Sequence, residues 1–280
     1  DGELWRIIGV MNNIDDGTGK KETRVKLIRN ESIGDYSWDT SESSVNSGYG
    51  VNEWSQADLM KLLNPGYESE TVGGSLYWNN QSGTCYSSSN NRTTSCNFTS
   101  TGIKDKLKTL INDAVWNTGS NGSSYSYDNI KTAKFCELER GSNTGKICTS
   151  GQYCNDPHGR TTTWTGKIGL MYPSDYGYAT SGGSTTDRET CLNTVLYSWG
   201  GSVSDCKNND WLFNSSYQWT LSPYANSSSA SSAFDVYASG RVFDDYVYNS
   251  NGVRPVVYLA PSVGVQSGDG TSSNPYVLGM

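Results

Sequence analysis

The sequence predicts an α+β domain built from a small antiparallel sheet, two helices and long ordered loops. Strand patterns open and close the chain, and helical periodicity is confined to residues 52–64 and 103–116. Strands do not alternate with helices, which excludes a doubly wound parallel sheet. The chain contains 19 Tyr and 9 Trp. Because disordered chains are poor in aromatic residues, we expect a folded domain with a core rich in Trp and Tyr.

The first half of the chain predicts one hairpin and both helices. Residues 4–10 and 23–29 have strand composition and flank a polar tract with an Asp-Gly turn signal, which predicts a β-hairpin. Within 52–64, apolar residues recur at intervals of three and four until a Pro-Gly pair stops the pattern. Residues 103–116 repeat the same spacing with lysines on the opposite face, which predicts the second helix.

The second half predicts short strands separated by long decorated loops. Residues 167–172 form a short apolar run that Pro173 is expected to end, and 217–221 and 253–259 are further strands. Arg254 is expected to hold the last strand in place from inside the fold. Because long ordered loops usually carry function, we expect functional residues in these loops as well as on the strands.

The charge of the chain excludes two classes of partner. The formal net charge is -7, and the 21 Lys and Arg residues do not cluster. This pattern argues against binding to nucleic acid or to anionic membranes. No apolar run reaches the roughly 20 residues that span a bilayer, so we expect no membrane insertion by this segment. The chain begins at Asp1 without a signal sequence, which is the expectation for a trimmed ectodomain.

The seven cysteines indicate an oxidising compartment, and hence an extracellular or cell-surface location. They are Cys85, Cys96, Cys136, Cys148, Cys154, Cys191 and Cys206. The first two and the last two each flank a polar loop, which favours the disulfides Cys85–Cys96 and Cys191–Cys206. Cys136 is expected to pair with Cys148 or Cys154, leaving one thiol over. Seven reduced core cysteines are the alternative interpretation.

The segment 217–260 is the candidate ligand-binding region. Hydrophobic strands frame about thirty residues rich in Ser, Ala, Asp, Tyr and Phe, the composition of a recognition surface on a rigid frame. The candidate ligand-binding residues are Tyr224, Asn226, Phe234, Asp235, Tyr237, Arg241, Phe243, Asp244, Asp245, Tyr246 and Tyr248. Strand alternation predicts that Phe234 and Val236 share one face while Asp235 and Tyr237 share the other. The alternative interpretation is an ordinary hairpin with Phe and Val toward the core and Tyr and Asp in water.

Other chemistries find weaker support in the sequence. His158 is the only histidine and sits beside Asp156, but a solvated turn residue explains it better than an acid or base. Neighbouring carboxylates such as Glu137 and Glu139 do not reveal the separation that sugar cleavage requires. A zinc site is not expected, because the chain has one histidine and no Cys-x-x-Cys pair.

Acidic turns leave one cofactor open. The pairs Asp15-Asp16 and Asp244-Asp245, and the terminal Asp269, could help to ligate a structural calcium ion. None of them spells a complete calcium loop, and turn chemistry accounts for Asp-Gly equally well. We therefore expect no cofactor, and a structural calcium ion is the alternative.

Five stretches occur along the chain in the order LWRIIGV, NEWSQADLMKLLN, KIGLMYPSDYGYAT, QWTLSP and NGVRPVVYL. In this order they resemble bacterial C-type-lectin-fold domains. More narrowly, they are similar to domains related to the formylglycine-generating, sulfatase-modifying family in surface proteins of Gram-positive gut bacteria. Several members of that group are variable proteins of diversity-generating retroelements.

The resemblance implies a single C-type-lectin-like domain over 1–280, with a small twisted antiparallel sheet and two helices. It places insertions at about 66–102 and 117–166, and an exposed ligand-binding face at about 224–248 within the variable region. In the retroelement proteins, adenine-directed mutation favours Asn, Ser, Ala, Asp, Tyr, Phe and Val at such faces. Residues 224–248 are rich in these types.

The chain also departs from related patterns. Animal C-type lectins bind sugar through calcium with Glu-Pro-Asn or Gln-Pro-Asp and Trp-Asn-Asp triplets, and none of these triplets occurs here. The formylglycine-generating enzymes use two closely spaced reactive cysteines. Beyond residue 167 the chain has only Cys191 and Cys206, fifteen apart and well placed to pair with each other.

The sequence therefore predicts a binding protein rather than an enzyme. We expect it to be secreted or displayed on a cell surface, and to present a diversifiable face to an unidentified protein or glycan ligand. One alternative is an enzyme related to the formylglycine-generating family or to sugar cleavage. The other is a structural adhesin or pilus-like subunit without a specific ligand.

Overall fold

The computed structural model describes residues 3–40, 50–119, 130–140, 163–224 and 231–280. These residues form a mixed α+β structure, with most strands in small antiparallel sheets and only short helices. The strands are β1 (Trp5–Asp15), β2 (Lys21–Arg29), β3 (Asp35–Ser37), β4 (Ser82–Ser88), β5 (Arg92–Asn97), β6 (Ala114–Asn117), β7 (Thr163–Gly166), β8 (Ile168–Gly169), β9 (Gln218–Pro223), β10 (Ser232–Val236), β11 (Val242–Tyr246), β12 (Ser250–Gly252), β13 (Val256–Tyr258), β14 (Gly264–Ser267) and β15 (Val277–Gly279). The helices are α1 (Asp58–Leu63), α2 (Asp105–Lys108), α3 (Thr132–Arg140), α4 (Pro173–Ala179), α5 (Arg188–Asn193) and α6 (Ser204–Asn208).

Two sheets organise the fold. The first has the strand order β1-β2-β13-β8 and is antiparallel throughout. The predicted N-terminal hairpin of β1 and β2 is therefore confirmed, and β13 adds to it by pairing with β2. The second has the order β11-β10-β9-β12-β3, with one parallel pairing between β12 and β9. Residues from both ends of the chain therefore meet in each sheet.

The largest buried side chains are tryptophans, which confirms the expected aromatic core. Trp38 and Trp54 meet edge to face with ring centroids 5.1 Å apart. The Trp38 indole donates a hydrogen bond to the Thr220 carbonyl, and the Trp219 indole donates to the Tyr36 carbonyl. These bonds join strand β9 to the segment around β3, so the frame of the candidate region is tied to the N-terminal part of the chain.

Arg254 holds strand β13 from inside, as expected, although β13 is not the last strand, because β14 and β15 follow it. Its Nε donates to the Arg29 carbonyl at 2.9 Å, and its Nη1 donates to the Leu212 carbonyl and to Oε1 of Gln218. The side chain is almost fully buried, and burial lowers the pKa of Arg254 to about 10. One guanidinium thus links β2, β9 and the segment before β13.

The two predicted helices are present only as short segments of the expected ranges. The pattern at 52–64 is split into a 3-10 turn, Trp54–Gln56, and the short helix α1, because Ala57 is extended. In 103–116 only α2 is helical. Ile111 instead bridges to Leu259, and β6 pairs with β7, so tertiary strand pairing overrides the helical spacing of the apolar residues.

Pro173 does not end the short apolar strand as expected, because strand β8 already stops at Gly169. It is instead the first residue of helix α4, where the missing N–H of proline costs nothing. Asp175, three residues after the N-cap Tyr172, accepts a hydrogen bond from the Tyr172 backbone N–H. The segment Pro173-Ser174-Asp175, which resembles a turn in sequence, therefore begins a helix.

Two disulfides confirm the loop-closing pairs. Cys85–Cys96 joins β4 to β5, and Cys191–Cys206 joins α5 to α6. These bonds overturn the interpretation of seven reduced cysteines and indicate an oxidising environment. Cys148 and Cys154, the expected partners of Cys136, lie outside the described residues. None of the helices in the described ranges is long and apolar enough to cross a lipid bilayer.

Candidate functional site

The hairpin of β10 and β11 carries most of the candidate residues, and its register divides them. Directly opposed residues of an antiparallel pair project from the same side of the sheet. Asp235 opposes Phe243, and Ala233 opposes Asp245. Phe234, in contrast, opposes Asp244 on the other side. The predicted recognition face is therefore split between the two sides of one hairpin.

Two candidates are fully buried, which corrects the expectation that they contact ligand. Phe234 packs edge to face against Phe135 of α3 at 5.1 Å and against Tyr224 at 5.4 Å. Asp235 has no exposed surface, although both interpretations of the hairpin placed it on the exposed face. It lies in the middle of the sheet between β9 and β11, where Asn251 of β12 reaches across to its carboxylate.

Tyr224 packs on the core side of the hairpin. Tyr224 is half-buried, packs on Phe234, and follows β9 with its N–H bonded to the Ser232 carbonyl. It therefore supports the hairpin from the core side. Asn226 lies outside the described residues.

The turn between β10 and β11 positions three other candidates in one cluster. The Tyr237 N–H bonds to the Arg241 carbonyl, and the Gly240 N–H bonds to the Tyr237 carbonyl. Gly240 has φ +88°, a conformation that glycine adopts without strain, and its carbonyl accepts a hydrogen bond from the buried Tyr176 hydroxyl. The turn is thus fixed from below by helix α4.

Arg241 lies at the centre of this cluster. Its guanidinium carbon is 4.5 Å from the ring centroid of Tyr237, 4.8 Å from Phe243 and 5.3 Å from Tyr197. A guanidinium stacked on aromatic rings is held by cation–π attraction. Its buried Nε has no hydrogen-bond partner among the described residues.

Tyr197 and Tyr217 complete the cluster and were missed by sequence reasoning. Tyr197 packs on Phe243 at 5.5 Å, and Tyr217 packs on Tyr237 at 4.8 Å. Tyr217 is 44% exposed. We call Tyr197, Tyr217, Tyr237, Arg241 and Phe243 the arginine–aromatic cluster. Tyr217 could have been found from the sequence, because it is the first residue of the candidate region 217–260. Tyr197 could not, because it belongs to the distant loop that the Cys191–Cys206 disulfide closes.

A second aromatic pair lies at the far end of β11. Tyr246 and Tyr248 stack with their ring planes 8° apart and centroids 5.3 Å apart. Tyr246 is 47% exposed, and it opposes Ser232, on the side of the hairpin that also carries Asp244. This pair is therefore separate from the arginine–aromatic cluster.

The hairpin carries three neighbouring carboxylates, Asp235, Asp244 and Asp245, and the pKa values of Asp235 and Asp244 are raised. Nδ2 of Asn251 lies 3.2 Å from both Oδ2 of Asp235 and Oδ2 of Asp245. Burial, reinforced by the nearby Asp245 and Asp244 carboxylates, raises the pKa of Asp235 well above its usual value. Burial likewise raises the pKa of Asp244. Burial, reinforced by the Asp235 and Asp245 carboxylates, also raises the pKa of the Tyr237 hydroxyl, which donates a hydrogen bond to the Asp244 carbonyl.

In the acidic turns, the Asp carboxylates accept hydrogen bonds from backbone N–H groups of the same turn. Oδ1 of Asp15 accepts from the N–H groups of Gly17 and Gly19, and Oδ1 of Asp16 and Asp269 accept from the threonine two residues later. Across the described ranges, no group of three or more His, Cys, Asp or Glu side chains is arranged to hold a metal ion. A structural calcium ion stays a prediction.

Among the residues weighed above for catalysis by His158 or by the Glu137 and Glu139 pair, only Glu139 has a described side chain. Glu139 is buried, and its carboxylate accepts hydrogen bonds from the Ser174 N–H and the Ser222 hydroxyl. The Glu137 side chain and His158 lie outside the described part of the chain. What the geometry offers is a set of aromatic surfaces with an arginine at their centre, which suits recognition.

Comparisons with models of protein families, with curated proteins and with solved structures find no match to this chain.

Proposed function

We propose that this chain is a secreted or surface-displayed binding protein that recognises a protein or glycan ligand through the arginine–aromatic cluster. The observation that carries the proposal is Arg241, stacked on three aromatic rings at the edge of a sheet. Arg, Tyr and Trp dominate the energetics of recognition surfaces, because they offer large contact areas and directed hydrogen bonds at low entropic cost.

The frame beneath the cluster supports binding rather than catalysis. Tyr176, Trp199 and Gly240 anchor the turn from the core, so the cluster is preorganised. Cys191 and Cys206 are buried and joined to each other. This pairing disfavours the alternative of a formylglycine-generating-type enzyme, which needs reactive cysteines.

The finer proposal is that the chain has a C-type-lectin-like fold and is the variable protein of a diversity-generating retroelement. The order of the five sequence stretches and the composition of residues 224–248 support it. The burial pattern of the hairpin also supports the proposal. Buried residues such as Phe234 maintain the fold, whereas Tyr237 and Arg241 are partly accessible to a ligand.

Binding to arrays of immobilised glycans and cell-surface proteins tests the function. Any ligand captured by the wild-type protein is expected to bind Tyr217→Ala at least tenfold more weakly, because truncating an aromatic anchor at a recognition hot spot costs about 2 kcal/mol. The stability of this variant is expected to fall by less than about 1.5 kcal/mol, the value of one aromatic pair.

Tyr178→Ala is the matched control, because Tyr178 is exposed to a similar degree, at 39%, and lies outside the cluster. Tyr246→Ala measures the contribution of the separate stacked pair. Unchanged binding by Tyr217→Ala and by Arg241→Lys would contradict the assignment of this cluster. Capture of no ligand by the wild-type protein would favour the structural adhesin.

A further inference from the structure

A groove of about 780 Å³ lies between the start of β1, helix α2 and the C-terminal hairpin of β14 and β15. It shares no residue with the arginine–aromatic cluster. Pockets of this size typically bind ligands through apolar walls and a few placed polar groups.

The walls of the groove are mostly apolar and partly uncovered. Leu4 and Ile7 are 41% and 46% exposed, and Tyr276 and Val277 on the opposite wall are each 43% exposed. Contiguous exposed apolar side chains around a concavity mark an interaction site more often than scattered ones do.

The groove is cationic in a protein that is acidic as a whole. Arg6, Lys104 and Lys106 line it, whereas the net charge of the chain is -7. Glu3 is the one carboxylate among the described lining residues, and it is engaged by Arg29 at 2.6 Å and by the Trp5 indole at 3.1 Å. The only acidic side chain among these lining residues is thus neutralised by Arg29, and the groove carries a net positive charge.

Arg6 is held in place within the groove. Its guanidinium lies 4.8 Å from the ring centroid of Trp211, and its Nη1 donates to the Trp211 carbonyl at 3.0 Å. A stacked guanidinium of fixed orientation is well suited to pair with a carboxylate.

The strand that forms one wall is an edge strand. Strand β1 is the first in its sheet and pairs only with β2 in the described structure. Edge strands expose backbone donors and acceptors that an extended peptide can bond, with its alternate side chains pointing into neighbouring pockets.

We propose that this groove binds an extended peptide segment that alternates apolar and acidic residues. The apolar side chains would fill the groove, the carboxylates would meet Arg6, Lys104 and Lys106, and the peptide backbone would pair with β1. The edge strand favours a peptide over a free fatty acid, which has no backbone to pair. The site is independent of the proposed recognition function, and either could fail alone.

Fluorescence anisotropy with three labelled hexapeptides tests the proposal. We expect a Leu-Glu repeat to bind, and a Leu-Lys repeat and a Ser-Glu repeat to bind at least tenfold more weakly, because each lacks one of the two recognised features. Lys106→Glu is expected to weaken binding of the Leu-Glu peptide about fivefold, the scale of one exposed charge at an interface rim.

Lys21→Glu supplies the matched control, because Lys21 is exposed, lies outside the groove and changes the net charge equally. Circular dichroism and the thermal midpoint verify that both variants fold. Equal weakening by Lys21→Glu, equal binding of the Leu-Lys peptide, or no binding of the Leu-Glu peptide up to millimolar concentration would overturn the proposal. Displacement of the Leu-Glu peptide by laurate at equal concentration would assign the groove to free amphipathic acids instead.

Discussion

Replacing Lys26 with methionine is expected to lower the free energy of unfolding by about 3–5 kcal/mol. Nζ of Lys26 lies 2.6 Å from Oδ2 of Asp175, and neither side chain has exposed surface. The ammonium also lies 4.3 Å from the ring centroid of Tyr172 and 5.6 Å from that of Tyr258. Removing the cation leaves a buried carboxylate whose charge is no longer compensated, and the cost of that exceeds the gain from a better-packed methyl group.

Urea denaturation under non-reducing conditions measures this effect. Lys20→Met is the matched control, because Lys20 pairs with Glu22 on the same hairpin but is 69% exposed. The control is expected to change stability by less than about 1 kcal/mol, as exposed ion pairs do. Equal effects of the two substitutions would mean that the buried pair does not tie the first sheet to helix α4.

Removing the Cys191–Cys206 disulfide with a double alanine substitution is expected to cost about 3 kcal/mol, the chain-entropy value for a loop of this length. The sequence separation is 15 residues, and both cysteines are fully buried. The closed loop contains Tyr197, which packs on Phe243 and lies under Arg241. We therefore expect the variant to lose ligand binding as well as stability.

The Cys85–Cys96 disulfide provides the comparison. It closes a loop of similar size, with a separation of 11 residues, and lies outside the arginine–aromatic cluster. Its double alanine variant is expected to lose a similar free energy of unfolding, measured in urea, but to keep the binding of the wild-type protein at temperatures where it is folded. Loss of binding in both variants to the same degree would show that stability alone, and not the position of Tyr197, controls recognition.

Sequence patterns predicted the features that depend on local signals. The hairpin of β1 and β2 follows from two strand patterns around a turn, and both disulfides follow from cysteines at the necks of polar loops. Arg254 could be assigned to the interior because it sits in a strongly apolar run. In the hairpin and the two disulfides, the residues that determine the structure are close together in the chain.

Features that depend on distant partners were not predictable in this way. The apolar spacing of 103–116 serves strand pairing with β7 and a bridge to Leu259, and neither partner is visible in the local pattern. Asp235 is buried because neighbouring strands and Asn251 cover it, whereas alternation assumes that one face of a strand is in water. Tyr197 joins Phe243 across more than forty residues through a disulfide-closed loop.

The central claim is that a fixed frame holds a surface whose residues can be exchanged. Amino-acid differences among many independent copies of this gene test it most directly. We predict that partly accessible positions in 224–248, such as Tyr237 and Arg241, differ far more often than partly accessible positions elsewhere, such as Tyr67 and Tyr86. Equal rates of difference at the two sets of positions would contradict the claim.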